Sequence, residues 1–98
     1  HELGHQFSAE HTWNGANGGC GPDQRGEESA YEPGSGSSIM SYAGLCGADD
    51  IENAVDALFH HQSFDQIITH TREGAGSACG REDIVAKQRL KWMRGPIL

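Results

Sequence analysis

The chain has no long apolar run. Nothing in it approaches the ~20 residues that cross a bilayer as a helix, which excludes a helical membrane span. Aromatic residues are scarce, 7% of 98, and hydrophobic residues make up 36%. A chain so composed has little material for a self-sufficient core, and small domains with that deficit rely on a metal, disulfides or a partner surface. Positive charge is also short: seven Lys and Arg stand against 14 Asp and Glu, for a net charge of −7. That balance argues against a protein that grips a nucleic-acid backbone. No Cys-x-x-Cys pair is present, which weighs against a structural zinc knuckle, and there is no internal repeat. In place of these stand 14 glycines, six histidines and three cysteines. Glycine is at about twice its usual ~7% share, and the His and Cys stock points to a metal or a disulfide framework.

The chain opens abruptly on His1-Glu2-Leu3-Gly4-His5, without a lead-in, and reads as a piece of a longer chain. The lack of a leader therefore says nothing about location. Residues 1 to about 10 predict a helix. Residues 12–48 predict loop, with turn signals at Asn14-Gly15, Asn17-Gly18-Gly19 and Glu32-Pro33-Gly34-Ser35-Gly36. So long a loop points to function or to tethering at both ends. Ile51, Val55 and Leu58 predict a short helical turn within 50–59. A second helix is expected over 64–73, with Ser63 as N-cap, Gln66 completing a capping box, Phe64, Ile67 and Ile68 on its apolar face, and Gly74-Ala75-Gly76 ending it. Residues 81–98 carry five of the seven basic residues. Ala86, Leu90, Met93 and Ile97 make that segment a basic amphipathic helix or linker, outside the domain formed by residues 1–80.

The pattern His1-Glu2-x-x-His5 carries the strongest chemistry. On a helix, residues i and i+4 share a face one turn apart, so both imidazoles can bind one zinc ion. Glu2, rotated about 100° from His1, reaches a zinc-bound water without being a ligand and suits the role of general base. His11 lies six residues beyond His5. In a continuous helix it would sit about 600° further round and ~9 Å along the axis, away from the site. A chain reversal around Gln6–Ser8 would return it as a third ligand. Three protein ligands leave one position open, the arrangement of catalytic rather than structural zinc.

The run His1-Glu2-Leu3-Gly4-His5-Gln6-Phe7-Ser8-Ala9-Glu10-His11 resembles the extended zinc motif of the metzincin metallopeptidases. Thr12-Trp13-Asn14-Gly15 and Tyr31-Glu32-Pro33-Gly34-Ser35-Gly36-Ser37-Ser38-Ile39-Met40-Ser41-Tyr42 resemble more closely its bacterial reprolysin-like branch. The resemblance covers roughly residues 1–80 and has one departure. The family usually has glycine where this chain has Ser8, at the point where the helix must turn. A left-handed residue other than glycine costs about 1 kcal/mol there.

The resemblance implies an α+β, zincin-like fold, of which these residues form the loop-rich C-terminal subdomain with a few helices. It makes Met40 the methionine of a Met-turn, a soft apolar floor beneath the histidines rather than a ligand. It also makes the Tyr31–Ser37 loop a wall of the substrate pocket. Tyr42, two residues past Met40, is read as structural and left out of the catalytic set. In a secreted protein the cysteines form disulfides. Cys20 and Cys46 are the favoured pair, closing a loop of about 27 residues for roughly 3–4 kcal/mol of stabilisation, and Cys79 is left over.

His60, His61 and His70 read as surface or supporting residues. Asp49, Asp50, Glu52, Asn53 and Asp56 form an acidic cluster. Carboxylate oxygens suit calcium, but no EF-hand spacing supports a Ca2+ site, and a solvated helix start is the better reading.

The function expected is that of a secreted, zinc-dependent metalloendopeptidase. It would hydrolyse peptide bonds in protein or peptide substrates through a zinc-activated water, with Glu2 as base and His1, His5 and His11 on one catalytic Zn2+. Nucleic acid is not an expected partner. An isolated 98-residue piece is not expected to cleave. The alternatives are a truncated or non-catalytic metzincin-like binding module and a disulfide-stapled extracellular module in which the histidines are incidental.

Overall fold

The computed structural model describes residues 1–80; the basic segment 81–98 lies outside the described residues. Among the described residues, three short elements punctuate what is otherwise loop. They are helix α1 (Glu2–Gln6), a single 3-10 turn (Gly47–Asp49) and helix α2 (His61–Arg72). The strand part of the expected α+β class is small. Among the described residues, the isolated bridge outside named strands is a parallel one between Trp13 and Glu32.

Helix α1 is shorter than the ten residues expected, and its end has a clear cause. Ser8 turns left-handed at φ 69°. The Ala9 amide then bonds the Gly4 carbonyl at 2.9 Å, and the Ser8 amide bonds the His5 carbonyl at 3.0 Å. This is a Schellman stop, which satisfies the last carbonyls of the helix and throws the chain back on itself. The reversal expected at Gln6–Ser8 is there, and Ser8 makes it without glycine.

Helix α2 begins three residues earlier than expected. Its N-cap is His60, whose Nδ1 accepts the Gln62 amide at 3.0 Å from an extended backbone. Ser63 is not the cap: it lies in the first turn, buried, with its Oγ unpartnered. Capping rules favour Ser, Thr, Asp and Asn, so an imidazole doing the same work went unread. The helix stops where the Glu73 and Gly74 amides both reach the Thr69 carbonyl.

The helical turn expected within 50–59 does not form. Those residues run alongside the loop before them: Asp56 N bonds Ser37 O at 2.7 Å and Ile39 N bonds Leu58 O at 2.9 Å. Ile51 N goes to Ser35 Oγ at 3.0 Å. Backbone groups engaged this way cannot make a helix, and Ile51, Val55 and Leu58 stay exposed.

The interior is small and half polar. Trp13, Met40 and the Cys20–Cys46 disulfide are fully buried, and Tyr42 packs on the Trp13 side. The bonded pair is the one expected, closing a span of 26 residues. Cys79 is free and exposed.

Around this core, carboxylates collect amides and hydroxyls. Glu32 is buried and accepts from Thr12 Oγ1, from Ser38 Oγ at 2.6 Å, and from the Ser37 and Ser38 amides at 3.0 and 3.1 Å. Burial opposes its charge, but the bonds from Ser38, Thr12 and the backbone outweigh that and hold its carboxyl below the ordinary value. Gly36 leaves the room for this, since a Cβ there would lie 2.9 Å from Glu32 Oε2.

Asp49 does the same for a neighbouring turn, accepting the Ala16 and Asn17 amides, and those bonds lower its pKa. Asp50 accepts the Cys46 amide at 2.8 Å. The start of the acidic cluster is thus tied into loops rather than solvating a helix start.

Candidate metal centre

Helix α1 sets His1 and His5 one turn apart, and the left-handed turn at Ser8 returns the chain so that His11 meets them. One ring nitrogen from each of the three lies within 4.8 Å of the others. Among the described residues, this is the group of three or more His, Cys, Asp or Glu side chains that could hold a metal ion.

Each ring is oriented from behind by a backbone carbonyl. His1 Nδ1 is bonded to Ile39 O at 2.8 Å, His5 Nδ1 to Ala9 O at 2.9 Å, and His11 Nδ1 to Gln24 O. A carbonyl can only accept, so each Nδ1 carries a proton, and in the neutral ring Nε2 then presents its lone pair. The His5 and His11 Nε2 atoms face each other at 3.1 Å. Two lone pairs at that distance repel unless a cation, proton or metal ion, sits between them. The donor set fits zinc: three neutral imidazoles with their tautomers fixed by outer partners.

Met40 is fully buried against helix α1. A Cβ on Gly4 would lie 2.4 Å from Met40 Sδ and 3.3 Å from the Phe59 ring. The sulfur therefore rests on the bare backbone of α1 between the two helix histidines, and the absence of a side chain at position 4 makes that contact. Met40 O also accepts the Thr12 amide at 3.3 Å. The Ser29 hydroxyl, bonded to the His11 carbonyl at 2.7 Å, fixes the backbone beside the third histidine.

The three histidines open onto a cleft of about 590 Å³ that Glu2, Tyr42 and the apolar Ile39, Leu45 and Val55 also line. Glu2 is exposed on it. None of Tyr31–Ser37, expected to form a pocket wall, lines this cleft, whose other walls come from Gln24, residues within 39–45 and Val55, and Glu32 within that loop is an interior strut. Tyr42 lies closer to the site than its structural reading implied. Its ring stacks on Trp13 at 4.9 Å and meets His11 at 4.6 Å and His1 at 5.8 Å. Burial, and then the negative charge of Glu2, push the Tyr42 phenol upward.

The other histidines stay outside. His60 caps α2 and stacks on Tyr31, His61 faces Asp65 at 3.3 Å, and His70 bonds Ser8. Sequence reasoning missed the carbonyls of Ala9, Gln24 and Ile39, which carry no sequence signature.

The sequence pattern of metallo-peptidase family M12B, reprolysin-like, matches residues 1–69. The chain belongs to that family. The match takes in every stretch on which the resemblance rested, from His1 to Gly15 and from Tyr31 to Tyr42. Membership brings the zincin fold and a zinc-dependent metallopeptidase class, whose members are typically extracellular. No curated protein and no solved structure matches the chain. Among the described residues of this reprolysin-like chain, no helix is long and apolar enough to cross a membrane.

Proposed function

We propose that this reprolysin-like chain is a secreted zinc metalloendopeptidase, with His1, His5 and His11 as ligands, Glu2 as general base and Met40 as the floor of the site. Residues 1–80 supply the metal-binding part of the catalytic domain. The observation that carries the reading is the convergence of three imidazoles with each Nδ1 tied to a backbone carbonyl.

When bound, zinc would supply Lewis acidity toward a water and toward the scissile carbonyl. The rest of the work falls to the chain's own groups. The carbonyls of Ile39, Ala9 and Gln24 hold the rings in the liganding tautomer. Glu2 takes a proton from the attacking water and passes it to the departing amine, which needs a carboxylate in the cleft but off the metal. Ile39, Leu45 and Val55 offer an apolar surface to a substrate side chain. Secretion accords with the family and with the Cys20–Cys46 disulfide.

The test is chelation. The native full-length protein should cleave a denatured protein, lose that activity with a zinc chelator and regain it with added zinc. Cleavage that persists at full rate after the metal is stripped would overturn the proposal.

A further inference from the structure

Ser8 is the one non-glycine residue at positive φ among the described residues. It sits midway between the second and third histidines of the site, and its backbone conformation directs the chain to His11. An L-residue held there is under strain, and it stays only where its surroundings hold it. The surroundings come from α2. Ser8 Oγ and His70 Nδ1 are 2.8 Å apart, across 62 residues of sequence. The Phe7 ring meets the His70 ring edge-on at 5.7 Å. One turn earlier on α2, Gln66 Oε1 accepts the Glu10 amide at 2.9 Å. Two side chains on one helix face thus grip the segment that carries the third histidine into place.

We propose that Ser8 and His70 form a positioning pair, in which α2 holds the left-handed turn that sets His11 in the metal site. Neither residue touches the metal; both act through the backbone between His5 and His11. The inference rests on the zinc reading above. It adds that the affinity of the site depends on a helix more than fifty residues further along the chain.

The experiment is a double-mutant cycle read as zinc affinity of the native full-length protein, by competition with a chromophoric chelator. Thermal melting of the metal-free variants reports folding separately. Removing a group bonded to a metal ligand typically weakens binding about 10–100-fold, and a pair one step further out should act near the low end of that range. We expect Ser8→Ala and His70→Ala each to weaken zinc about tenfold, and the double variant to be no weaker than either. Ser8→Gly, which relieves the left-handed strain, should make His70→Ala nearly silent. Equal zinc affinity in all variants, or an equal loss from His70→Ala with and without Ser8→Gly, would overturn the pairing. Absence of zinc from the unmutated protein would overturn the metal reading and the pairing with it.

Discussion

Replacing Glu2 with Gln is expected to lower kcat by about 10²–10⁴-fold, the range that a positioned general base contributes. Bound zinc should not change. The two results separate because Glu2 lies one residue off the His1–His5 face of α1 and lines the cleft without being one of the three converging donors. Glutamine keeps the size and the hydrogen-bonding reach but cannot take a proton. KM should move little, since the residue is expected to act in the chemical step rather than in holding substrate. Parallel measurement of kcat and metal content checks this. Undiminished kcat would remove Glu2 as the base, and loss of zinc would make it part of the metal's support instead.

Glu32→Gln is expected to cost about 3 kcal/mol of stability. Four donors converge on the carboxylate: the Thr12 and Ser38 hydroxyls and the Ser37 and Ser38 amides. A carboxylate accepts on both oxygens. A carboxamide accepts on one and turns an NH2 toward the donors at the other, which leaves buried polar groups unpaired.

The knot also gives the protein an acid limit. The Glu32 carboxyl is more acidic in the folded chain than its ordinary value of 4.5. Its contribution is therefore fully present above that ordinary value and declines as pH falls through the lower, folded value. Urea unfolding should show the variant well below the unmutated protein at neutral pH, with the gap narrowing on acidification. Equal midpoints at neutral pH would show that the knot carries no stability. Ser37 and Ser38 precede Ile39 and Met40, whose carbonyls accept from His1 Nδ1 and the Thr12 amide, so loosening Glu32 should also loosen the backbone beside the histidines.

The histidine cluster was legible because its geometry is local. Two histidines at i and i+4 on a helix need no tertiary information, and His11 needs only a reversal that the Gln6–Ser8 region could make. The Cys20–Cys46 pair was legible from which cysteines flank the loop. The helical turn within 50–59 was not, because three apolar residues at helical spacing are a weak pattern and tertiary bonds to Ser35, Ser37 and Ile39 took the backbone groups a helix would need. The His60 cap fell outside the residue types that capping rules recognise.

Glu32 went unread for a deeper reason. A carboxylate in a Gly-, Ser- and Pro-rich loop looks solvated, and only the fold reveals four donors arriving from two segments. The carbonyls behind the histidines, and the grip of Gln66 and His70 on the turn, are long-range and leave no local mark. The shortage of apolar residues met at the outset is answered by these polar ties. Buried serines, Thr12 and Glu32 fill space that aliphatic side chains fill elsewhere.

Whether His1, His5 and His11 together hold one catalytic zinc is decided by elemental analysis of the native full-length protein and of its His11→Ala variant, after equal dialysis against a weak chelator. One zinc per chain in the unmutated protein, and its loss from the variant, is the result expected of a three-histidine site. Zinc absent from the unmutated protein, or retained undiminished without His11, would contradict it.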